Sequence, residues 1–429
     1  MSQRVVITGM GWITPMGHTI EGVWKRLLAG ESGIDRTTIF DADTFPTRIS
    51  AEVKEFALSK HVDTWESHAG AGRSTQFALA ACAQAWAAAN LADAKLDRDR
   101  VGIYFASGEG SLDFDAYTAA ALSSFKAESS SIDAVKWAEV ARLRMNVVRE
   151  VEQEPNAALP HLAMLTGARG PAFNCLTACA ASAQAIGEAT EILRRGDADI
   201  MISGGAHSMI HPFGVTGFNR LTALSTANDE PRRASRPFDL HRGGFVLGEG
   251  SGVVVLETLD HALARKANIL AEVAGYGSTA DAYRITDQHP DGTGAVVAMT
   301  EALKDAQLTP ADIGYIAAHG TGTRENDGNE TSAIKQVFGD RAASVPISSL
   351  KSMMGHLIAA AGVANVISCV LAMRDGMLPP TMNRDTPDPE CELDYVPNSA
   401  RAAAVSACMS NSFGFGGQND TVIVRKFAR

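Results

Sequence analysis

Short runs of apolar, often β-branched residues alternate along the chain with longer alanine-rich stretches. The runs, such as Val5-Val6-Ile7 and Val253-Val254-Val255, have the length of buried strands. The alanine-rich stretches, such as 180–195, have the length and composition of helices. This alternation predicts an α/β protein.

The pattern of the first half recurs in the second half. The paired segments, in the same order, are 5–11 with 271–277, 101–108 with 313–320, the helical stretches 178–197 with 355–376, and the closing strands 252–257 with 421–425. Chance resemblance between α/β segments is the alternative, but four pairs in one order favour a duplication. A duplication implies a pseudo-twofold axis that would bring Cys179 and His356, each at a predicted helix start, to matched positions.

Composition narrows the function classes. The chain has 429 residues, enough for a large core or two fused domains, and its formal charge of −11 argues against nucleic-acid binding. No apolar run approaches membrane-spanning length and the N-terminus lacks a signal-peptide pattern, so we expect a cytoplasmic protein without a membrane span; a detached transit peptide stays open. The six cysteines form no CxxC pair, which predicts neither a zinc site nor a redox dithiol.

Cys179 is a candidate nucleophile. A predicted strand over 172–176 turns abruptly into a helix at Thr177-Ala178-Cys179, a context that exposes a nucleophile on helix N–H groups. Such a position lowers the pKa of a thiol. The alternative is a cysteine that is simply buried, which holds for most cysteines in reducing compartments.

Two histidines stand in unusual settings. His319 opens His319-Gly320-Thr321-Gly322-Thr323 after an apolar strand, where the glycines permit close approach of a ligand. His356 follows Gly355 at a predicted helix start, which keeps its imidazole neutral and donating from Nε2. A structural role is the alternative for each. As metal ligands they lack a nearby third ligand in the sequence, so we expect no metal.

The glycine-rich stretch 411–417 predicts a mobile loop or a close approach to a bound group. No helix follows it, so it is a poor phosphate loop.

In combination these motifs resemble one family. The matching segments are 177–179, 236–239, 243–250, 319–323, 351–356 and 411–417. The chain resembles the β-ketoacyl-acyl-carrier-protein synthases of the elongating Cys-His-His type, with the KAS II branch and the polyketide ketosynthases as the nearest likeness. The resemblance covers nearly the whole chain apart from 112–155.

The resemblance implies a thiolase fold, in which two duplicated α/β halves form a five-layered arrangement, and a homodimer. The expected halves are 1–260, which carries the nucleophile and a divergent 112–155 cap segment, and 261–429, which carries both histidines.

It also implies a decarboxylative condensation of an acyl thioester with a malonyl thioester. The malonyl group would be carried on the phosphopantetheine arm of an acyl carrier protein. No cofactor is expected. Cys179 would take the acyl group, with the N–H groups of Cys179 and Phe413 as oxyanion hole. His319 and His356 would stabilise the enolate. The resemblance also implies supporting residues. Lys351 and Glu330 would form an ion pair that orients the histidines, and Thr321 and Thr323 would contact the pantetheine arm. Phe413 and Asp281 would lie on two gating loops, and Phe218 would form part of the acyl-pocket wall.

Three departures put the substrate and the partner in doubt. Glu109 stands where the family carries an apolar acyl-pocket residue, the 112–155 segment is longer and more charged, and 67–72 lacks the expected basic cluster, leaving Arg73. If Glu109 faces the pocket, short or polar-ended acyl chains are favoured; the alternative is that it points to solvent. A non-elongating or scaffold homologue acting as a partner subunit is the alternative function, and the intact Cys179 speaks against it. A cysteine hydrolase on an unrelated fold would not explain the duplication.

Overall fold

The computed structural model describes residues 3–108 and 112–428. The strands up to residue 270 are β1 (Val5–Ile13), β2 (Asp35–Arg36), β3 (Ile49–Ser50), β4 (Val101–Ser107), β5 (Phe125–Lys126), β6 (Ser131–Ile132), β7 (Ala172–Cys175), β8 (Ile200–His207) and β9 (Gly250–Thr258). The α-helices of this part are α1 (Ile20–Leu28), α2 (Arg73–Ala88), α3 (Phe114–Ser124), α4 (Ala134–Arg144), α5 (Val147–Val151), α6 (Ala158–Thr166), α7 (Ala181–Arg195), α8 (Pro212–Arg220) and α9 (Leu259–Ala264).

The strands beyond residue 270 are β10 (Ala271–Ala280), β11 (Tyr315–Ala317), β12 (Ile347–Ser348), β13 (Met377–Leu378), β14 (Arg401–Ala402), β15 (Ala407–Gly414) and β16 (Gln418–Arg425). The α-helices of this part are α10 (Thr293–Ala306), α11 (Arg324–Phe338), α12 (Lys351–Met354) and α13 (Ala361–Asp375).

Ten of these strands form one sheet, in the order β12-β11-β15-β16-β10-β1-β9-β8-β4-β7. Outward from the centre, the strands are β1-β9-β8-β4-β7 in the first half and β10-β16-β15-β11-β12 in the second. When the five strands of each half are numbered one to five in chain order, both halves give the order 1-5-4-2-3. In both halves strand 5 pairs antiparallel with strands 1 and 4, and strand 2 pairs parallel with strands 4 and 3. β1 and β10 join the halves in antiparallel register. The order and the pairing repeat, so the predicted duplication is confirmed.

Helices cover the sheet in layers. α7 and α13 pack against each other and contact strands of both halves, so they form the middle layer. α2 and α6 cover the strands of the first half, and α10 and α11 lie on the outer side of the second. Outer helices, the strands of the first half, the middle helices, the strands of the second half and outer helices make up the five layers expected from the sequence, with the one continuous sheet supplying both strand layers.

The two middle helices meet at their first turns. The backbone N–H of Val363 donates to Oγ of Ser182 at 2.9 Å. A Cβ added to Gly362 would lie only 2.6 Å from the backbone nitrogen of Ala183. The close approach of the helix starts therefore requires glycine at this crossing.

Glycines also set the distance between the central strands and the outer helices. A Cβ added at Gly11 of β1 would overlap the carbonyl oxygen of Ala81 in α2, and one added at Gly277 of β10 would overlap that of Ala298 in α10. The strand–helix approach is thus the same in both halves.

The stretch Ile358–Asp375 is apolar enough over 18 residues to cross a membrane, and 89% of it is buried inside the protein. The expectation that no apolar run approaches that length is therefore wrong. Burial between the two halves accounts for its composition, because a helix covered on all sides needs no polar face.

The segment 112–155 is largely helical, as its sequence indicates. It contains α3, α4 and α5, with the two-stranded ribbon of β5 and β6 between the first two. Many of its large apolar side chains are exposed, among them Leu122, Val135, Leu143 and Val147.

We predict that Gly11→Ala and Gly277→Ala each destabilise the fold. The added methyl group must push a helix backbone away from the sheet, and overpacking of this kind costs about 1–3 kcal/mol. The measurement is the urea midpoint by circular dichroism. Gly217→Ala in α8 is the matched control, since an added Cβ there meets nothing within 4 Å. An unchanged midpoint in both variants would contradict the close approach.

Candidate active site

The candidate residues meet where parallel strands of both halves end. Cys179 follows β7, His319 follows β11, and Lys351 and His356 follow β12. Because parallel strands end at the same edge of a sheet, and the halves are related by the pseudo-twofold axis, these ends converge. Cys179, His319 and His356 line a cavity of about 480 Å³ together with Thr321, Thr323, Phe413 and Phe415.

Cys179 lies in a tight turn between β7 and α7. The turn spans Ala178–Ala180, and Ala178 adopts a left-handed φ of 48°. Such a conformation is costly for a residue with a Cβ. The thiol is buried. The predicted strand, turn and helix are therefore present around the cysteine.

The second half repeats this turn without a cysteine. Ile358–Ala360 precedes α13, and Ile358 has a φ of 44°. The counterpart of Cys179 is thus Ala359. The prediction that His356 starts a helix and matches Cys179 is wrong, because His356 lies before the turn. Its backbone instead forms a parallel bridge to Leu247 of the first half, with its N–H donating to the carbonyl of Val246 at 2.7 Å.

The two imidazoles face each other, with ring centroids 5.5 Å apart and ring planes at 80°. Nδ1 of His356 accepts a hydrogen bond from the N–H of Ile358 at 3.1 Å, so its proton resides on Nε2. Nε2 of His356 and Nδ1 of His319 hydrogen-bond to no residue that the structure describes. A neutral donor at Nε2 of His356 agrees with the sequence prediction.

Burial, and then the positive charge of Lys351, hold the pKa of each histidine well below its ordinary value. Both rings are therefore neutral at physiological pH. The helix start invoked for His356 from the sequence is not the cause.

The backbone at His319 is held on both sides. Oε1 of Glu330 accepts from the N–H of His319 at 2.8 Å, and Oε2 accepts from that of Gly320 at 2.7 Å. Nζ of Lys351 donates to the carbonyl oxygen of His319. Among the described residues no ion pair joins Glu330 to Lys351, so the predicted direct pair is corrected: each charge holds one side of His319. Burial raises the pKa of Glu330 and lowers that of Lys351.

The pKa of Cys179 differs in direction from the sequence expectation. Burial raises it to about 11, although the charge of Lys351 and the N–H groups of Phe415 and of Cys179 itself lower it. Desolvation of a thiolate outweighs these stabilising contacts.

The backbone N–H groups near the Cys179 sulfur differ in one residue from the predicted oxyanion hole. The backbone N–H beside the Cys179 sulfur is that of Phe415, which follows β15, rather than that of Phe413. Phe413 lies within β15, with its ring buried 6.0 Å from that of His319. The segment 411–417 accordingly combines a buried strand end, Asn411–Gly414, with a turn that carries Phe415.

The remaining predicted residues surround this centre. The hydroxyls of Thr321 and Thr323 lie 2.9 Å apart at the cavity wall. Phe218 packs into the apolar cluster that includes Cys179. The N–H of Asp281 donates to the carbonyl of Gly417 at 2.8 Å, which ties the two expected gating loops together. Glu109 lies outside the described residues.

Cys179 and the two histidines satisfy the spacing of a potential metal site. The sulfur and one nitrogen of each ring lie within 4.8 Å of one another. The argument that a third ligand is lacking is therefore wrong, since Cys179 supplies it from the other half. The absence of a metal stays a prediction.

Comparison with known proteins gives the family. Residues 2–262 match the profile "Beta-ketoacyl synthase, N-terminal domain", and residues 270–385 match "Beta-ketoacyl synthase, C-terminal domain". The chain belongs to the beta-ketoacyl synthase family.

Relatives of this synthase align over the full length. It is 42% identical to "3-oxoacyl-[acyl-carrier-protein] synthase 2" of Synechocystis sp. over 99% of this chain and 98% of the relative. The protein of the same name from Coxiella burnetii is 40% identical over 99% of both chains.

Solved structures of similar fold include a beta-ketoacyl synthase from Burkholderia phymatum, with a TM-score of 0.88 and 34% identity over 99% of this chain and 100% of that one. Another is a type II PKS ketosynthase in complex with its acyl-carrier protein, with a TM-score of 0.88 and 33% identity over 100% of both chains. The thiolase fold expected from the sequence is therefore confirmed.

Two asparagines of the synthase were missed from the sequence. Nδ2 of Asn365 donates to the carbonyls of Ala317 and Ala318, at 3.3 and 3.1 Å, at the strand end that carries His319. Nδ2 of Asn411 donates to Glu330 at 3.3 Å. Asn411 stands in a quoted motif, but Asn365 lies in an apolar helix, and only its polarity there could have marked it.

We predict that alkylation of Cys179 in the synthase by iodoacetamide is slow at pH 7 and rises about tenfold per pH unit up to pH 10, because only the thiolate reacts. Peptide mass spectrometry gives the rate at this cysteine. Lys351→Met should slow the reaction at pH 7, since the charge that stabilises the thiolate is lost. The difference should shrink above about pH 8, because burial lowers the pKa of Lys351 to about 8 and the wild-type side chain then loses its own charge. A rate that levels off below pH 9 would contradict the raised pKa.

Proposed function

We propose that this synthase condenses an acyl thioester with a malonyl thioester, with loss of CO₂, to give a β-ketoacyl thioester. The observation that carries the proposal is the convergence of one buried thiol and two buried, neutral imidazoles within 4.8 Å at the wall of one cavity. The thiol suits covalent capture of an acyl group, and the imidazoles suit stabilisation of an oxyanion.

In the first half-reaction the sulfur of Cys179 attacks the thioester carbonyl. The carbon–sulfur bond of the incoming thioester breaks, and its sulfur leaves as a thiol that takes the proton lost by Cys179. The N–H groups of Cys179 and Phe415 stand next to the sulfur and serve the tetrahedral oxyanion.

In the second half-reaction the malonyl thioester carbonyl lies between His319 and His356. As the carboxylate leaves as CO₂, the electron pair of the broken bond becomes an enolate, whose oxygen the neutral N–H groups stabilise. The enolate carbon then attacks the acyl-Cys179 carbonyl and releases the thiolate. Imidazoles that stay neutral stabilise this oxygen without a proton that could quench the carbon.

Lys351 serves this arrangement at a distance from the substrate. Its charge disfavours imidazolium at both rings, and its hydrogen bond fixes the carbonyl of His319. Together with Glu330 it positions the ring of His319 through the backbone.

An acyl carrier protein with a phosphopantetheine arm is the proposed partner. The names of the relatives contain this carrier, and one solved structure of similar fold is a ketosynthase bound to it. Thr321 and Thr323 offer hydroxyls to the arm at the cavity wall. Arg73 is not available for docking, because its guanidinium donates to both carboxylate oxygens of Glu249, at 2.5 and 2.8 Å.

The pathway, fatty-acid or polyketide synthesis, depends on the acyl chain. A cytoplasmic location suits either pathway.

A homodimer is proposed from the free edge of the sheet. β7 is an outermost strand, and its Phe173 and the following Leu176 are each 50% exposed. Exposed apolar side chains on a strand edge invite pairing with a second copy. The exposed apolar side chains of 112–155 belong to the same half and enlarge its apolar surface.

We predict that Phe173→Lys weakens the dimer, because a second copy cannot bury an ammonium group without a partner. Light scattering after size exclusion, across a dilution series, gives the mass. Val297→Lys is the control, since Val297 is similarly exposed on the outer helix α10. A monomeric wild type, or equal masses for both variants, would contradict the proposed edge.

The proposed assignment of acyl transfer to Cys179 and of enolate stabilisation to the two histidines gives the central prediction. Cys179→Ala should lose acyl transfer yet still release CO₂ from malonyl carrier protein, because enolate stabilisation belongs to the histidines. His319→Ala and His356→Ala should still acquire the acyl group, while CO₂ release falls about 100- to 1,000-fold.

Acyl-enzyme mass spectrometry and CO₂ release are measured on the same samples. His241→Ala, at an exposed position, is the control. Condensation by Cys179→Ala at the wild-type rate would disprove the covalent route. Failure of both histidine variants to acylate would mean that the rings activate the thiol instead.

A further inference from the structure

His207 is a buried histidine that the proposed reaction does not use. It ends β8, is 1% exposed, and neither of its ring nitrogens hydrogen-bonds to a residue that the structure describes. An unpaired buried polar group costs about 1–3 kcal/mol, so its retention calls for an explanation.

The side chain points toward the inner helices. Ala206 packs in the cluster with Phe77 of α2, on the outer face of the sheet. A Cβ added at Gly205 would lie 2.8 Å from the carbonyl of Ala359, at the inner turn. Because successive side chains of a strand alternate between faces, His207 shares the inner face with Gly205.

The duplication defines what His207 faces. β8 and β15 have equal length and the same neighbours in their halves, so His207 is the counterpart of Gly414. A Cβ added at Gly414 would lie 3.3 Å from the backbone nitrogen of Cys179. By the same symmetry His207 borders the turn of Ala359, the counterpart of Cys179, and a Cβ added at Gly108 would lie 2.5 Å from its Nδ1. Ile358 of that turn packs in the cluster that includes Cys179.

Electrostatics agree with this placement. The low pKa of His356 is caused by burial, Lys351 and His319, and also by His207, which is thus close enough to interact with it. The pKa of His207 itself falls to about 3 through burial, with a smaller effect of His211. The ring is neutral in any ordinary assay and offers one donor and one acceptor.

Apolar side chains surround Cys179. Its cluster contains Ile210, Leu247 and Ile358, with Phe218 packed against it. This environment suits methylene groups, and His207 adds hydrogen-bonding capacity at its edge, because β8 contacts the turn Ile358–Ala360.

We propose that His207 is a specificity-determining residue that hydrogen-bonds a hydroxyl or carbonyl oxygen on the acyl chain carried by Cys179. The inference rests on the proposed function, since it needs an acyl group on that sulfur. A chain of methylenes alone leaves both ring nitrogens unpaired, whereas an oxygenated chain satisfies one of them. A site built around such a bond discriminates against the chain that lacks it.

The test compares loading of Cys179 by hexanoyl carrier thioester with loading by hexanoyl chains that carry one hydroxyl at carbon 3, 4, 5 or 6. Acylation rates come from mass spectrometry of the intact full-length enzyme. The wild type should load at least one hydroxylated chain about tenfold faster than hexanoyl. His207→Leu should abolish that ratio while hexanoyl loading is retained or increased.

His207→Gln keeps a donor and an acceptor, so it should retain part of the preference. The melting temperature of His207→Leu should not fall, because an unpaired polar group is replaced by an apolar one. If that variant fails to fold, the ratio in His207→Gln decides.

Equal rates for all chains in the wild type, or an unchanged ratio in His207→Leu, would overturn the inference while leaving condensation intact. No acylation by any chain would instead overturn the proposed function, and the inference with it.

Discussion

The backbone of His319 is held from both sides by buried charged side chains, and the geometry of the site depends on this arrangement. Glu330 accepts from its N–H and Lys351 donates to its carbonyl. A buried charge is tolerated only where hydrogen bonds replace water. Here the replacement also aims an imidazole at the nucleophile, so the same contacts serve folding and chemistry.

Burial has opposite consequences for the two kinds of group at the site. It keeps His319 and His356 neutral, so in the proposed reaction they donate to the enolate oxygen without an extra proton that could reach its carbon. It also keeps Cys179 largely protonated, so attack on a thioester depends on the small thiolate fraction that Lys351 and two N–H groups sustain. In the proposed reaction, the same burial that leaves the thiol less ionised makes each contact to an oxyanion stronger.

Much of this structure could be predicted from the sequence, because repeated patterns are local and ordered. The paired segments specified the duplication, and the strand–turn–helix around Cys179 followed from small residues at a strand end. Phe415 was missed because two phenylalanines stand two residues apart, and only the bend after β15 decides which N–H reaches the sulfur. The hydrogen bonds of Glu330 and Lys351 to the backbone at His319 were missed, because spacing along the chain does not distinguish a direct ion pair from two separate contacts to one stretch of backbone.

The crossing of the two middle helices has a consequence for substrate entry. Ser182 bonds across to Val363, Gly362 lies against Ala183, and the sheets of the two halves are continuous through β1 and β10. A hinge between the halves would break all of these at once. Admission of a tethered substrate must therefore come from local rearrangement at the rim, where the turn after β15 and the segment following β10 touch through one hydrogen bond. The described residues of the two halves thus form one continuous frame, and the expected gating loops meet at its rim.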